Sequence, residues 1–161
     1  MPKKLAPKRV SESRVDRHAI SLSPQNMNYR NTVQGAFILA KADEVGGDVA
    51  KKHSGRECVT CRVDSTDFLA PAYQGETLVF RAWINRSWTS SMEIEMEVYA
   101  EKLGKVLRRV TSPIYFTFVA LDRRGKSTRV PEVLPETDDE KKRFKEADRR
   151  RQRRLLIPAL E

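Results

Sequence analysis

The stretch from Thr32 to His53, TVQGAFILAKADEVGGDVAKKH, constrains this chain more than any other. At about 100° of rotation per residue, Ala36, Leu39, Gly46, Gly47 and Ala50 fall within roughly 60° of Asp43, while Gln34, Lys41, Asp48 and Lys52 lie opposite. The spacing predicts one long amphipathic helix whose small, apolar stripe presses against the rest of the fold and carries a carboxylate inside it. Burying an ionised carboxylate without partners costs several kcal/mol or raises its pKa. Asp43 is therefore either a buried acid paired with an arginine or a backbone group, or a residue that does chemistry. Thr32 or Asn31 caps the first turn, and Gly46 and Gly47 weaken the last third while letting another backbone pack close.

Beyond the helix the chain reads as sheet. Ser54 and Gly55 turn the chain, and strand signals run from Arg56 to Phe68, from Thr77 to Asn85, from Ser90 to Ala100 and from Val106 to Leu121. A shorter strand over His18 to Leu22 precedes the Ser-, Pro- and Asn-rich loop that leads into the helix. In Ser90 to Ala100, Met92, Ile94, Met96 and Val98 alternate with Glu93, Glu95 and Glu97. One face of the sheet is thus buried and the other meets water or polar partners. Strands joined in sequence by short turns are expected to pair antiparallel. The fold class is α+β: one long helix ahead of about five antiparallel strands, which it covers on their buried face.

The ends differ from this body. The net charge of +9 is concentrated in them: residues 1–20 carry six Lys/Arg against two Asp/Glu, and residues 138–154 carry nine against five. Residues 1–16 are expected to be loosely attached, 17–130 to form the domain, and 131–161 to be an extension. In that extension the prolines of RVPEVLPE exclude helix, and Thr137 and Glu140, spaced as a capping box, start a basic helix. Its few apolar residues, Phe144, Ala147, Leu155 and Leu156, let it lean on a body or a partner subunit. A solvated or subunit-packing helix is the expectation, and RNA binding is the alternative.

Several function classes are excluded. No run of about 18 apolar residues is present to span a membrane, and the N-terminal stretch lacks the apolar segment of a secretory signal, so a cytoplasmic protein is expected. Cys58 and Cys61 lie three apart on a strand and point to opposite faces, and no second Cys or His pair completes a zinc site. No metal site and no cofactor are expected. No glycine-rich nucleotide loop of the P-loop or dinucleotide type occurs.

The residues nevertheless carry a resemblance. The run opening at Asn28 and continuing GAFILAKAD, then VTCRVDSTDFLAPAYQGE, SWTSSMEIEMEVYAE and FTFVALDRRGKS, resembles the hot-dog-fold acyl-CoA thioesterases of the cytosolic acyl-CoA hydrolase type, in the same order over roughly Leu22 to Arg129. The resemblance implies a sheet wrapped around a central helix. It also implies subunits joined edge to edge with shared active sites, and a homo-oligomer built as a trimer of dimers. It carries Asp43, Asn28 and Gly35 over as catalytic residues. Ala36, Thr60, Arg86, Ser90, Arg123 and Arg124 are the candidate contacts to acyl-CoA. The chain departs from the family pattern at Asn31 and Ala36, where glycine is expected, and at Trp88 and Thr89, which precede the paired Ser90 and Ser91.

Chemistry argues in the same direction. Thioester hydrolysis needs a base or nucleophile near the carbonyl carbon and a donor where charge develops on oxygen. A helix start offers unpaired amides and a positive dipole end. Asp43 lies about 12 Å further along the helix, so its carbonyl-polarising partner is expected from another subunit. Coenzyme A phosphates call for Arg or Lys at the mouth of the site. The function expected is acyl-CoA hydrolysis; the alternative is a non-catalytic protein of the same fold that senses acyl-CoA or nucleotide, or binds RNA through its tail.

Overall fold

The computed structural model describes residues 5–157. Strand β1 (Lys8–Arg9) leads through a 3-10 turn into β2 (Val15–Ser21). A loop then delivers the helix α1 (Gly35–Ser54), followed by β3 (Glu57–Val63), β4 (Thr77–Ser87) and β5 (Ser91–Lys102). Strands β6 (Lys105–Arg109), β7 (Ile114–Leu121) and β8 (Val133–Leu134) precede the C-terminal helix α2 (Asp138–Leu155). No helix among the described residues is long and apolar enough to cross a membrane.

One six-stranded antiparallel sheet runs in the order β2-β4-β5-β7-β3, with β6 paired to β5. The expected pairing of consecutive strands holds for β4 with β5 and for β5 with β6, and fails for β3. The loop of residues 64–76, with Pro71 and Gly75, carries the chain away from β3, which pairs with β7 at the far edge. The single strand expected over Val106–Leu121 is two strands. Pro113 has no N–H to give to a ladder, and the chain breaks there, so β6 and β7 pair with different halves of β5.

The sheet wraps α1, the hot-dog arrangement that the sequence resemblance implies. Ile38, Ala42, Val45, Val49 and Ala50 of α1 lie against Leu78, Phe80, Met92, Ile94, Phe116 and Phe118, all buried. Each large side chain removed from water in this way contributes about 1.5–3 kcal/mol. Gly46 allows the closest approach: a Cβ there would sit 3.0 Å from Phe118 Cε2.

The outer face of the sheet is covered as well. Glu93 and Glu95, on the polar face of β5, are buried beneath α2. Arg150 Nη2 donates to Glu93 at 2.6 Å, and Arg154 donates to both Glu93 and Asp64. Thr137 and Glu140 form the capping box read from sequence, and Ala147 is fully buried. The guanidinium planes of Arg150 and Arg143 lie over Tyr115 and Trp83, at 3.8 and 4.9 Å from the ring centroids. The basic helix is therefore neither simply solvated nor reserved for a partner subunit: Arg150 and Arg154 are neutralised inside their own protomer, which takes those charges from the RNA-binding alternative as well.

The N-terminal segment also departs from the loose attachment expected of residues 1–16. Among its described residues, β1 pairs in parallel with β8, Val10 joins the core, and Ser13 is buried. Its anchors are single apolar residues separated by charged ones, which leaves no periodic signal to read.

Candidate active site

The loop before α1 is knitted by one side chain. Asn28 Oδ1 accepts from Arg30 N at 2.9 Å and Thr32 N at 3.3 Å, and Asn28 Nδ2 donates to Thr32 Oγ1 at 2.9 Å. This is the Asx-type bonding that lets Asn organise a turn, and it holds Asn31 at φ 58°. Thr32 is thereby used in the loop instead of capping the helix. The helix starts at Gly35 with Gln34 as N-cap and no side-chain cap bond. The first-turn amides thus face outward without a side-chain acceptor, where a ligand oxygen can take them. Asn28, Thr32, Gly35, Ile38, Phe68 and Leu69 line an open groove of about 340 Å³ at this point. Phe68 lies across Gly35: a Cβ on Gly35 would meet the ring at 3.0 Å. Ala36 is exposed beside it.

Asp43 occupies a different place from the one its periodicity suggests. The buried face of α1 is Ile38, Ala42, Val45, Gly46, Val49, Ala50 and His53, and Asp43 lies roughly 100° from the centre of that set. Ile38, Val45 and Val49 set the buried direction, and Leu39, the one large apolar residue beside Asp43 in projection, is only partly buried. Asp43 is half-buried on the flank, facing β3, where Thr60 Oγ1 donates to its Oδ1. Its second oxygen has no protein partner among the described residues. Asp43, Gly47, Lys51, Cys58, Thr60 and Phe118 are among the residues that line a groove of about 430 Å³. The thiol of Cys58 is pushed up by burial, and its Sγ lies 3.2 Å from Ser54 Oγ. Strand β3 ends the sheet here, with side chains exposed along nearly its whole length.

These two grooves share no lining residue. Within one protomer, the amides of Gly35 and the carboxylate of Asp43 thus address different spaces. A third groove, of about 420 Å³, is lined by Lys51, Gly55, Arg56, Glu57, Leu121, Asp122 and Arg123. Lys51 belongs to both this groove and that of Asp43, so an anionic ligand can extend from the carboxylate to a cluster of three cations. Glu57 accepts a hydrogen bond from Lys51 at 3.0 Å, which raises the lysine pKa. Arg124 is exposed in the same turn, its amide donating to Asp122 Oδ1. Sequence reasoning passed over Lys51 and Arg56 as lining residues; the basic last turn of α1 was a signal for Lys51, and Arg56, beyond the helix, had none.

Two expected contacts lie elsewhere. Arg86 sits under α2, its guanidinium 4.2 Å from the Phe144 ring centroid and 3.6 Å from Asp148 Oδ1. The same helix that buries Glu93 withdraws it from the grooves. Ser90 accepts on its carbonyl from Ala120 N at 3.0 Å, at the end of the sheet that carries the Arg123 turn, and lines none of the three grooves.

Comparison with known proteins places this arrangement. The thioesterase superfamily profile matches residues 30–107. The uncharacterized acyl-CoA thioester hydrolase YkhA of Bacillus subtilis is 37% identical over 117 residues, which cover 73% of this chain and 68% of that protein. The chain belongs to the acyl-CoA thioester hydrolase family. The human cytosolic acyl coenzyme A thioester hydrolase is 33% identical over 78% of this chain, but the chain spans only 33% of that protein's length. Among solved structures, the acyl-CoA hydrolase of Staphylococcus aureus in complex with butyryl coenzyme A, coenzyme A and coenzyme A disulfide superposes with a TM-score of 0.84. It is 36% identical, and the match covers 92% of this chain and 90% of that one. Its Asp43→Ala, Asn28→Ala and Thr60→Ala variants have also been solved, and this chain has the same residue types at the same numbers. A hexameric acyl-CoA thioesterase superposes with a TM-score of 0.87 at 29% identity, over 96% of this chain and 100% of that one. Two features of this acyl-CoA thioester hydrolase family member thus frame its chemistry: an uncapped helix start and a hydroxyl-held carboxylate in separate grooves.

Proposed function

We propose that this protein hydrolyses acyl-CoA thioesters to a free carboxylic acid and coenzyme A, in sites shared between two subunits of a homo-oligomer. The observation that carries the reading is Asp43: one carboxylate oxygen is held by Thr60 and the other is free, in a groove bordered by an unpaired sheet edge. The amides that can polarise a carbonyl open into a separate groove about 12 Å away along the same helix. A second protomer arriving at the β3 edge brings the partner subunit's Asp43 to the groove of Gly35, with the relatives' hexameric assembly in support. Relatives named as cytosolic support action in the cytoplasm.

In the proposed reaction, the thioester oxygen accepts from the first-turn amides at Gly35 and Ala36, whose helix dipole favours the developing negative charge. The free oxygen of Asp43 takes a proton from water, and the resulting hydroxide attacks the carbonyl carbon; direct attack by the carboxylate, followed by hydrolysis of the anhydride, is the other route open to the same geometry. Collapse of the tetrahedral intermediate breaks the C–S bond, and the thiolate of coenzyme A leaves and is protonated. Thr60 acts by orienting Asp43, and Asn28 by holding the loop that presents Gly35. Lys51, Arg56 and Arg123 receive the phosphates of coenzyme A. Neither the sensor reading nor the RNA reading finds a specific observation in its favour.

The test is thiol release from a panel of short- to long-chain acyl-CoA substrates. Asp43→Ala is expected to lower kcat by about 10²–10⁴ with an unchanged circular dichroism spectrum. Turnover by that variant at the parent rate refutes the role of Asp43. Absence of turnover by the parent on every chain length refutes the activity itself.

A further inference from the structure

The face of the sheet opposite the candidate active site carries a second basic groove that the proposed reaction does not use. It lies between the C-terminal half of α2 and the β3 edge, about 390 Å³ in volume, lined by Cys61, Arg62, Thr117, Arg151, Arg154 and Leu155. A neighbouring lobe shares Arg62 and Arg154 and adds Arg150, Arg153 and Tyr115, together with the carboxylate Asp64. The first lobe has three guanidinium groups and a hydroxyl on its walls and no carboxylate.

The charge balance is unequal. Of these five arginines, Arg150 and Arg154 are matched by Glu93 and Asp64. Arg151 donates to the neutral Ser91 Oγ at 3.1 Å and lies 4.6 Å from the Trp88 ring centroid. Arg62 and Arg153 are exposed and have no carboxylate within ion-pair distance among the described residues. Like charges lining one groove repel one another, and a bound anion relieves that repulsion. A single carboxylate is satisfied by one guanidinium fork. Arginines contributed by both β3 and α2, with Thr117 lining the same groove, offer more than one fork to the several oxygens of a phosphate.

The groove is also distinct from the one that holds Asp43. The ladder between β3 and β7 shifts register between Thr60 and Arg62. The shift lets Thr60 turn inward to Asp43 while Arg62 joins the α2 arginines on the outer face.

We propose that this outer groove is a binding site for a phosphate group, carried by a soluble metabolite or by a lipid headgroup, with Arg62, Arg151 and Thr117 as its main donors. Binding is independent of thioester hydrolysis, so it is tested without any substrate. The full-length protein is titrated calorimetrically with inorganic pyrophosphate at low salt, and co-sedimented with phosphatidylcholine vesicles with and without phosphatidic acid. Arg62→Glu, whose side chain lies on the outer face of β3 and not along the edge proposed to meet a second protomer, is expected to keep the parent's oligomeric state on size-exclusion chromatography and to weaken binding of either probe by about tenfold or more. Arg123→Glu removes any pyrophosphate held in the inner groove proposed for coenzyme A and is expected to leave the Arg62-dependent binding unchanged. Pyrophosphate binding that depends on Arg62 supports a soluble ligand, and vesicle binding that depends on both Arg62 and phosphatidic acid supports a lipid headgroup. Binding of neither probe by the parent, or binding that Arg62→Glu leaves equal to the parent's and Arg123→Glu abolishes, overturns the site.

Discussion

Replacing Glu93 by leucine tests how α2 is held. Glu93 is fully buried, with 0% of its surface exposed, and accepts from Arg150 Nη2 at 2.6 Å, Arg154 Nη2 at 3.3 Å and Asn85 Nδ2 at 3.1 Å. Burial works against the charge on Arg150, but the hydrogen bond and the charge of Glu93 outweigh it, and the arginine pKa rises. In Glu93→Leu, Arg154 keeps Asp64 at 2.7 Å and Asn85 keeps Glu95 at 2.9 Å. Arg150, with only 16% of its side chain exposed, loses its carboxylate. Removing one member of a buried pair costs about 3–5 kcal/mol. The stacking of Arg150 on Tyr115 survives, so the lower end, about 3 kcal/mol, is expected. For a chain of this size that corresponds to a fall in Tm of about 6–12 °C. The double variant Glu93→Leu/Arg150→Met, which removes both charges, is expected to recover most of the loss, to within about 1 kcal/mol of the parent. Thermal unfolding followed by circular dichroism, at one fixed protein concentration because oligomers gain stability by mass action, reads both. A Glu93→Leu variant that melts with the parent, or a double variant as unstable as the single one, refutes the orphaned charge as the cause.

Two adjacent glycines are expected to respond in opposite directions to alanine. Gly46→Ala places a methyl 3.0 Å from buried Phe118, an overpacking that costs about 1–3 kcal/mol and exceeds the helix-propensity gain. Gly47→Ala meets Phe118 only at 3.7 Å and is expected to raise stability by about 0.5–1 kcal/mol; equal shifts in Tm for the two contradict the packing described. His53 is buried with its Nε2 3.0 Å from the Pro131 carbonyl, and burial lowers its pKa below the ordinary 6.5. Below that ordinary value the unfolded chain binds a proton that the folded one does not, so stability falls as pH drops through this window. His53→Gln is expected to flatten the fall in Tm on the acid side of pH 6.5, and an unchanged slope contradicts the assignment.

Local pattern accounts for much of what was legible in the sequence. The body of α1, the alternation of β5 and the capping box of α2 are each written within one or two turns or a few strand positions and stand where their patterns put them, while the start of α1 moves from the expected Thr32 or Asn31 cap to Gln34. Asp43 was legible as an acid out of place, because a polar face was available on the same helix. Its orientation was not, since the stripe it shares in projection holds Leu39 as its one large apolar residue, which does not outweigh Ile38, Val45 and Val49 in aiming the helix. The partner of β3, the covering of Glu93 and Glu95 by α2, and the meeting of Lys51 with Arg56 and Arg123 join residues far apart in sequence. Thr60 illustrates the division. Its family resemblance was visible in the run around it, while its hydrogen bond to Asp43 exists only because β3 crosses the molecule to pair with β7 beside α1. Periodicity and propensity act over a few residues and are determined by the sequence alone. Which faces meet, and which charges neutralise one another, depend on the free energy of burying them together, and only the closed tertiary structure decides that.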